Sequence, residues 1–458
     1  MNRVTKRTWL MSIFIGILVL GMVIFLGEYM VKARKWVVFS GSPHVYNNAN
    51  IGLGTLVDRS GEVLLDITDD RTYSDDTATR KSTLHWLGDR KGYINAAAVT
   101  NYAAEMSGFD LINGLYSSEG TGGEMELTLS ARIQNVALKA MDGRKGTIGV
   151  YNYKTGEILC AITTPTYDPE NVPDIAADES GAYDGVYVNR FIQSAYIPGS
   201  IFKLATTAAA LDCVDGIEEM TFRCRGKLEY GTEAVTCETA HGEQNLKQAL
   251  RNSCNCAFAQ VAEKIGKTNM TNYVRKFGIT DSLSFDGITT ARGHYDVSAA
   301  APVSFAWSCI GQFNDLINPA QYMTFMGAIA NGGAAAKPYL VDRVWGGGEI
   351  NYQAETRKTE KMMSTEVAGI LEQYMRNNVS DAYGDKNFPG LKVCAKSGTS
   401  ELGGGQKSNA MFAGFVQNEE YPLAFIVIVE NGGYGSHTCV PILSKVLAEC
   451  KLVLDAEM

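Results

Sequence analysis

Three short stretches carry hydroxyl and amine side chains where they could activate one another. Residues 196–207 read YIPGSIFKLATT, with Ser200 and Lys203 three positions apart at the start of a helix-forming run. On a helix, positions i and i+3 share a face. Pro198 and Gly199 turn the chain into that helix and leave its first amides free. The helix dipole then favours negative charge developing at Ser200. A serine hydroxyl is a weak nucleophile until a base takes its proton. A lysine with an ordinary pKa near ~10.4 is protonated at neutral pH and cannot be that base. Burial beside cationic or hydrogen-bonding groups lowers the value, so the pair makes sense only inside a larger cluster. Ser253-Cys254-Asn255 and Lys396-Ser397-Gly398-Thr399 are the candidates for its other members.

The elements that must carry these groups follow from the pattern. SIFKLATTAAALD is helical, and NLKQALRNS and CAFAQVAEKIG are two helical stretches broken at Ser253-Cys254-Asn255. Such a break aims short polar side chains into a cleft. LKVCAKSGT, AMFAGFVQ and YPLAFIVIVE read as strands, the later pair joined by a short turn, which predicts antiparallel pairing. Gly398 lies on the first of these, where the absence of a side chain lets a ligand approach the backbone. GTIGVYNYKTGEILCAIT (146–163) reads as a hairpin, MELTLS as a strand and ARIQNVALKAM as an amphipathic helix. PAQYMTFMGAIANGG is a helix closed by glycine, and PILSKVLAECKLVLD is the last helix. The expected fold class is α/β (α+β), an antiparallel sheet flanked by helices, from about 130 to 458. GTLVDRSGEVLLD (54–66) reads as strand–turn–strand, residues 99–107 as a short helix, and EGTGGE (119–124) as a boundary loop.

At 458 residues the chain calls for more than one domain. A formal net charge of −9 argues against a nucleic-acid surface. Trp9 to Gly27 carries no charge, and its 19 residues come close to the ~20 that span a bilayer as helix. Arg3, Lys6 and Arg7 precede it, which favours a cytoplasmic N-terminus. A cleaved signal peptide is the rival, but GEYMVKARKW holds no A-x-A-like site. Ten cysteines are too few for a disulfide scaffold. Cys224 and Cys237 flank a hairpin-like segment, and a bridge between them is expected, with buried unpaired thiols as the alternative. Cys254 reads as part of its turn rather than as a nucleophile, and His85, His241, His294 and His437 read as structural. GGG at 403–405 reads as a turn beside the Lys396 strand.

Ser-x-x-Lys, Ser-x-Asn and Lys-[Ser/Thr]-Gly in this order mark penicillin-binding proteins and class A β-lactamases. With TGEILCAITTPTYDPEN, NRFIQSAYIPGSIFK, HGEQNLKQALRNSCNCAFAQ, GQFNDLINPAQYMTFMGAIANGG and DRSGEV, the chain resembles a class B penicillin-binding protein of the compact penicillin-binding-protein-A type. It departs from the usual pattern at Ile201 (often threonine), Ser397 (often threonine), Ser130 (often aspartate) and Gly52-Leu53-Gly54 (often Arg-Gly).

The resemblance implies a cytoplasmic tail at 1–8, a transmembrane helix at 9–27, a pedestal domain at 36–125 and a transpeptidase domain at 126–458. It implies a peptidoglycan D,D-transpeptidase that β-lactam antibiotics acylate, without metal or organic cofactor. Ser200 would be the nucleophile on the stem peptide, Lys203 its base and Ser253 the proton relay. Asn255 would hold Lys203 and the substrate, and Lys396, Ser397 and Thr399 would meet the substrate carboxylate. The amides of Ser200 and Thr399 would form the oxyanion hole. Glycan polymerisation would fall to a SEDS-type polymerase partner. A D,D-carboxypeptidase or β-lactamase shares the acylation and differs in admitting water. A β-lactam sensor or non-catalytic scaffold is the alternative from another class.

Overall fold

The computed structural model describes residues 2–37, 53–68, 70–107, 109–110, 114–115 and 122–457. Gly52 and residues 119–121 of the expected boundary loop lie outside them, as does most of 36–52.

Alternation within single strands builds the main body. Leu423–Val429 sends Phe425 and Val427 to one side and Ile426 and Ile428 to the other, and both sides are buried. Asn409–Val416 does the same with Phe412 against Met411 and Ala413. Strands whose two faces are both covered read as unbroken apolar runs, because each side chain period of two meets a core. The five-stranded sheet runs in the order Val393–Ser400, Asn409–Val416, Leu423–Val429, Gly146–Asn152, Ile158–Thr164, antiparallel throughout. Val393–Ser400 is therefore an edge strand. Helices Ala131–Met141 and Gly435–Glu457 cover one face, and Pro319–Ala330 and Thr365–Asn378 lie on the other.

The expected last helix begins six residues early, at Gly435, and carries Pro441 inside it. Its start is fixed by contact rather than by proline. A Cβ on Gly435 would fall 2.1 Å from the Gly398 carbonyl oxygen, so the helix enters against the Lys396 strand where a side chain has no room.

A second sheet lies in the N-terminal part, in the order Glu349–Gln353, Val341–Gly346, Gly123–Leu127, Gly54–Val57, Val63–Asp66, Thr72–Tyr73. Two of its strands come from beyond residue 330. Val341–Gly346 pairs antiparallel with Gly123–Leu127, Val344 opposite Met125, and Glu349–Gln353 adds antiparallel to its far side. The expected division at 125/126 thus runs through a shared sheet. The DRSGEV stretch makes the turn between the first two strands of this region. Asp58 accepts from Ser60 N–H at 2.8 Å and Glu62 N–H at 3.0 Å with one oxygen. Its other oxygen accepts from Ala131 N–H at 2.9 Å, at the start of the helix that Ser130 caps. The carboxylate there complements the helix N-terminus.

The helix Asn2–Val37 stands apart from both sheets. Trp9, Phe14, Leu18 and Val23 are each 60% exposed or more. Arg3–Ala33 is long and apolar enough to cross a membrane, and none of its most apolar window is buried by protein. It fits a single-pass membrane anchor.

Candidate active site

Ser200 sits in a single 3-10 turn, Gly199–Phe202, that leads directly into the helix Lys203–Cys213. Gly199 holds φ at +54°, and a Cβ there would meet the Thr399 carbonyl oxygen at 2.5 Å. Only glycine lets the turn lie this close to the Lys396 strand. Gly199 N–H donates to the Gly311 carbonyl at 2.9 Å, and Tyr322 O–H donates to the Ile201 carbonyl at 2.7 Å. The turn is held from both sides.

Lys203 is fully buried. Its Nζ lies 3.0 Å from Ser200 Oγ, 2.7 Å from the Ser253 carbonyl oxygen, 3.1 Å from Ser253 Oγ and 2.8 Å from Asn255 Oδ1. Burial drives its pKa well below the ordinary lysine value, and the neighbouring Lys396 adds to the shift by repulsion. Lys396 is equally buried, and desolvation lowers it to about 7. Its Nζ donates to Ser253 Oγ at 3.1 Å and to the Ser397 carbonyl at 2.8 Å. One hydroxyl, that of Ser253, is therefore shared by two amines.

The break between the helices Leu246–Arg251 and Asn255–Ile265 makes this possible. Asn245 and Gln248 form a capping box that starts the first helix. Ser253 then takes a left-handed conformation, φ +52°, which is costly for a residue with a Cβ and turns its side chain into the cleft. Cys254 caps the second helix, its Sγ accepting from Ala257 N–H at 3.4 Å. Asn255 Nδ2 donates to the Thr236 carbonyl at 2.9 Å, which orients its oxygen towards Lys203.

The edge strand supplies the far wall. Tyr383, which nothing in the spacing singled out, accepts from Ser397 N–H at 3.0 Å and shares a hydrogen bond with Ser397 Oγ at 2.9 Å. Arg376 donates to the Val393 carbonyl at 2.6 Å and Asn378 to the Ala395 carbonyl at 3.0 Å. Thr399 Oγ1 accepts from Gly435 N–H at 3.2 Å. Gly398 abuts Ile201, where a Cβ would meet Ile201 Cγ2 at 3.0 Å. Tyr434 O–H donates to Glu238 at 2.7 Å and bridges the rim. Ser200, Lys203, Ser253, Asn255, Lys396, Ser397, Gly398 and Thr399 thus lie around one cleft, brought there by a helix start, a helix break and a sheet edge.

The expected Cys224–Cys237 bridge is not formed. All ten cysteines are free, and Cys237 Sγ lies 3.7 Å from Cys254 Sγ, in a group with Cys224 and His241. The hairpin Lys227–Tyr230 with Glu233–Thr236 forms as expected, but it brings its flanking cysteines to the helix break rather than only to each other. His85 is structural: it is buried, with Nε2 2.8 Å from the Val186 carbonyl oxygen, and burial lowers its pKa to about 4.

Residues 146–448 match the family model for the penicillin binding protein transpeptidase domain. Stage V sporulation protein D of Bacillus subtilis is 25% identical over 408 residues, covering 82% of this chain and 59% of that protein. Peptidoglycan D,D-transpeptidase PbpA of Mycolicibacterium smegmatis is 28% identical over 340 residues, 68% of each chain. The chain thus spans somewhat over half to two thirds of the length of these relatives. Among solved structures, the D,D-transpeptidase domain of a peptidoglycan glycosyltransferase from Eggerthella lenta superposes with a TM-score of 0.76 at 26% identity, covering 88% of this chain and 99% of that one.

Proposed function

Because the chain belongs to the penicillin-binding protein transpeptidase family, we propose that it is a serine-type peptidoglycan D,D-transpeptidase, acylated by β-lactams in place of its substrate. The bonding of Lys203 carries this proposal. A neutral amine has two N–H donors and one lone pair. The Ser253 carbonyl at 2.7 Å and Asn255 Oδ1 at 2.8 Å can only accept, so they take both donors. The lone pair is left facing two hydroxyls, Ser200 at 3.0 Å and Ser253 at 3.1 Å, so the amine can take the proton of the first and hand it on to the second. Burial keeps the amine uncharged long enough to act as base.

Ser200 Oγ bonds to the carbonyl carbon of the penultimate D-alanine as its proton passes to Lys203. The peptide C–N bond breaks, and a proton reaches the departing D-alanine amine through Ser253 Oγ. The amine of a second stem peptide then bonds to the acyl carbon, the ester C–O bond to Ser200 breaks, and the proton the amine gives up returns through Lys203 to Ser200 Oγ. Lys396, Ser397 and Thr399 receive the substrate carboxylate, and Gly398 leaves the backbone accessible. The amides of Ser200 and Thr399 are assigned to the oxyanion, each donor worth about 2.7–4 kcal/mol in such a role. We assign a tail at 1–8, an anchor at 9–27, a pedestal at 36–125 whose sheet is completed by Val341–Gly346 and Glu349–Gln353, and a transpeptidase part at 126–458 outside the cytoplasm. A SEDS-type polymerase is the proposed partner for glycan synthesis.

Intact-mass measurement after incubation with benzylpenicillin tests the assignment. The wild-type chain should gain the mass of one antibiotic molecule and keep it for many minutes, and Ser200→Ala should gain none. Labelling of Ser200→Ala at the wild-type rate would overturn the assignment of the nucleophile. Rapid release of hydrolysed antibiotic would favour a β-lactamase.

A further inference from the structure

The ligand atoms of Cys224, Cys237, His241 and Cys254 lie within 4.8 Å of one another, and Cys254 is the middle residue of the helix break that carries Ser253 and Asn255. In a tetrahedral site, zinc–sulfur bonds of about 2.3 Å and zinc–nitrogen bonds of about 2.0–2.1 Å place sulfur about 3.8 Å from sulfur and about 3.5 Å from nitrogen. Cys237 Sγ and Cys254 Sγ are 3.7 Å apart, and Cys224 Sγ and His241 Nδ1 are 3.5 Å apart. Two edges of the cluster therefore already have the length that a bound zinc ion requires.

The surroundings suit thiolates. Backbone N–H groups donate to each sulfur: Gly226 to Cys224 at 3.5 Å, Cys256 to Cys237 at 3.3 Å and Ala257 to Cys254 at 3.4 Å. Such outer bonds orient metal ligands and stabilise their negative charge. Cys224 and Cys254 are buried, and Cys237 and His241 are half-buried, which leaves a path for the ion. The residues come as C-x12-C-x3-H-x12-C. Three soft sulfurs and an imidazole select zinc over magnesium or calcium. Four protein ligands fill the tetrahedron, so the ion has no open position for a reacting water.

We propose that Cys224, Cys237, His241 and Cys254 bind one structural zinc ion that clamps the Ser253-Cys254-Asn255 corner to the neighbouring hairpin. His241 is then a ligand rather than the structural histidine that the sequence suggests. Cys254 lies between Ser253 and Asn255, and Cys237 follows Thr236, whose carbonyl orients Asn255. A metal joining Cys237 to Cys254 fixes the strand and the helix start against each other, and with them the two groups that take the N–H donors of Lys203. Metal binding is independent of the transpeptidase assignment. The effect on acylation rests on it.

The test uses the full-length chain, purified in detergent without chelator or reductant, and elemental analysis by inductively coupled plasma mass spectrometry. One zinc per chain is expected. Cys224→Ser and His241→Ala should lose it, while Cys256→Ser, whose sulfur lies outside the cluster, should keep it. Because a ligand variant can misfold, wild-type protein is also stripped with a chelator and refilled with zinc or cobalt alone. Stripping should lower the melting temperature and zinc should restore it. Cobalt should give the intense visible absorption of a tetrahedral thiolate site. Penicillin acylation should slow about 10-fold on stripping and recover with zinc. Purified protein without metal that takes up neither ion, or a Cys237–Cys254 disulfide in non-reduced peptide mapping, would overturn the site. Stripping that leaves the acylation rate unchanged would overturn the clamp. Zinc-loaded protein that is never acylated would count against the transpeptidase assignment instead.

Discussion

Lys203 and Lys396 share the Ser253 hydroxyl, and among the described residues no carboxylate contributes to the shift of either. Burial, and then the charge of Lys396, disfavour the protonated form of Lys203. Lys203 can act as the proposed base only when neutral, and its pKa is depressed. The penicillin acylation rate should therefore rise with pH on its acid side and level off well below 10.5, the ordinary lysine value. Stopped-flow acylation across pH checks this. Lys203→Arg keeps a cation but cannot give up its proton. It should slow acylation by about 10²–10⁴-fold, the worth of a general base, and a smaller loss would point to another base. The Lys203 partners were legible in the sequence because serine, lysine and asparagine stand at fixed offsets from a helix start and a helix break. Tyr383 was not legible. It reaches Ser397 from a separate π-helical turn, and no local pattern marks a tyrosine that bonds to a strand fourteen residues on.

At the scale of elements, the cleft depends on close backbone approaches. The turn carrying Ser200 touches the edge strand through Gly199, with left-handed φ and no room for a methyl group. Gly199→Ala should push the turn away from Thr399 and strain its backbone. Acylation should fall about 100-fold or more, since a displacement of about 1 Å can cost that much, while far-ultraviolet circular dichroism stays that of a folded chain. Wild-type acylation by this variant would mean that the turn does not need the contact. The strands and most helices were legible because apolar runs of seven or eight residues, caps and turn glycines are local signals. The pairing of Val341–Gly346 with Gly123–Leu127 was not, because it joins segments more than two hundred residues apart and depends on register, not composition. The cysteine cluster escaped for a similar reason. Its ligands lie on a strand end, a hairpin end, a loop and a helix cap, and two of its cysteines suggested a simpler bridge.

At the scale of the whole molecule, the exposed apolar helix and the basic residues before it fit a membrane anchor with the N-terminus in the cytoplasm as the proposed orientation. Protease added to the outside of spheroplasts should digest the folded part and leave an epitope tag ahead of Arg3 protected until the membrane is opened. A tag cleaved from outside would reverse the proposed orientation. The proposed substrate is a polymer carrying peptide branches, and the sheet limits how a branch can enter. Along the rim of the sheet, Arg376, Asn378 and Tyr383 already occupy the outward carbonyls or amide of Val393, Ala395 and Ser397. Their side chains deny that stretch to another chain seeking to add itself as a sixth strand. By the two-residue period, the next outward-facing position is Thr399, beside Ser200. On the proposed function, a stem peptide that pairs with this edge would therefore do so at Thr399 and not along Val393–Ser397, meeting the sheet by its tip beside Ser200.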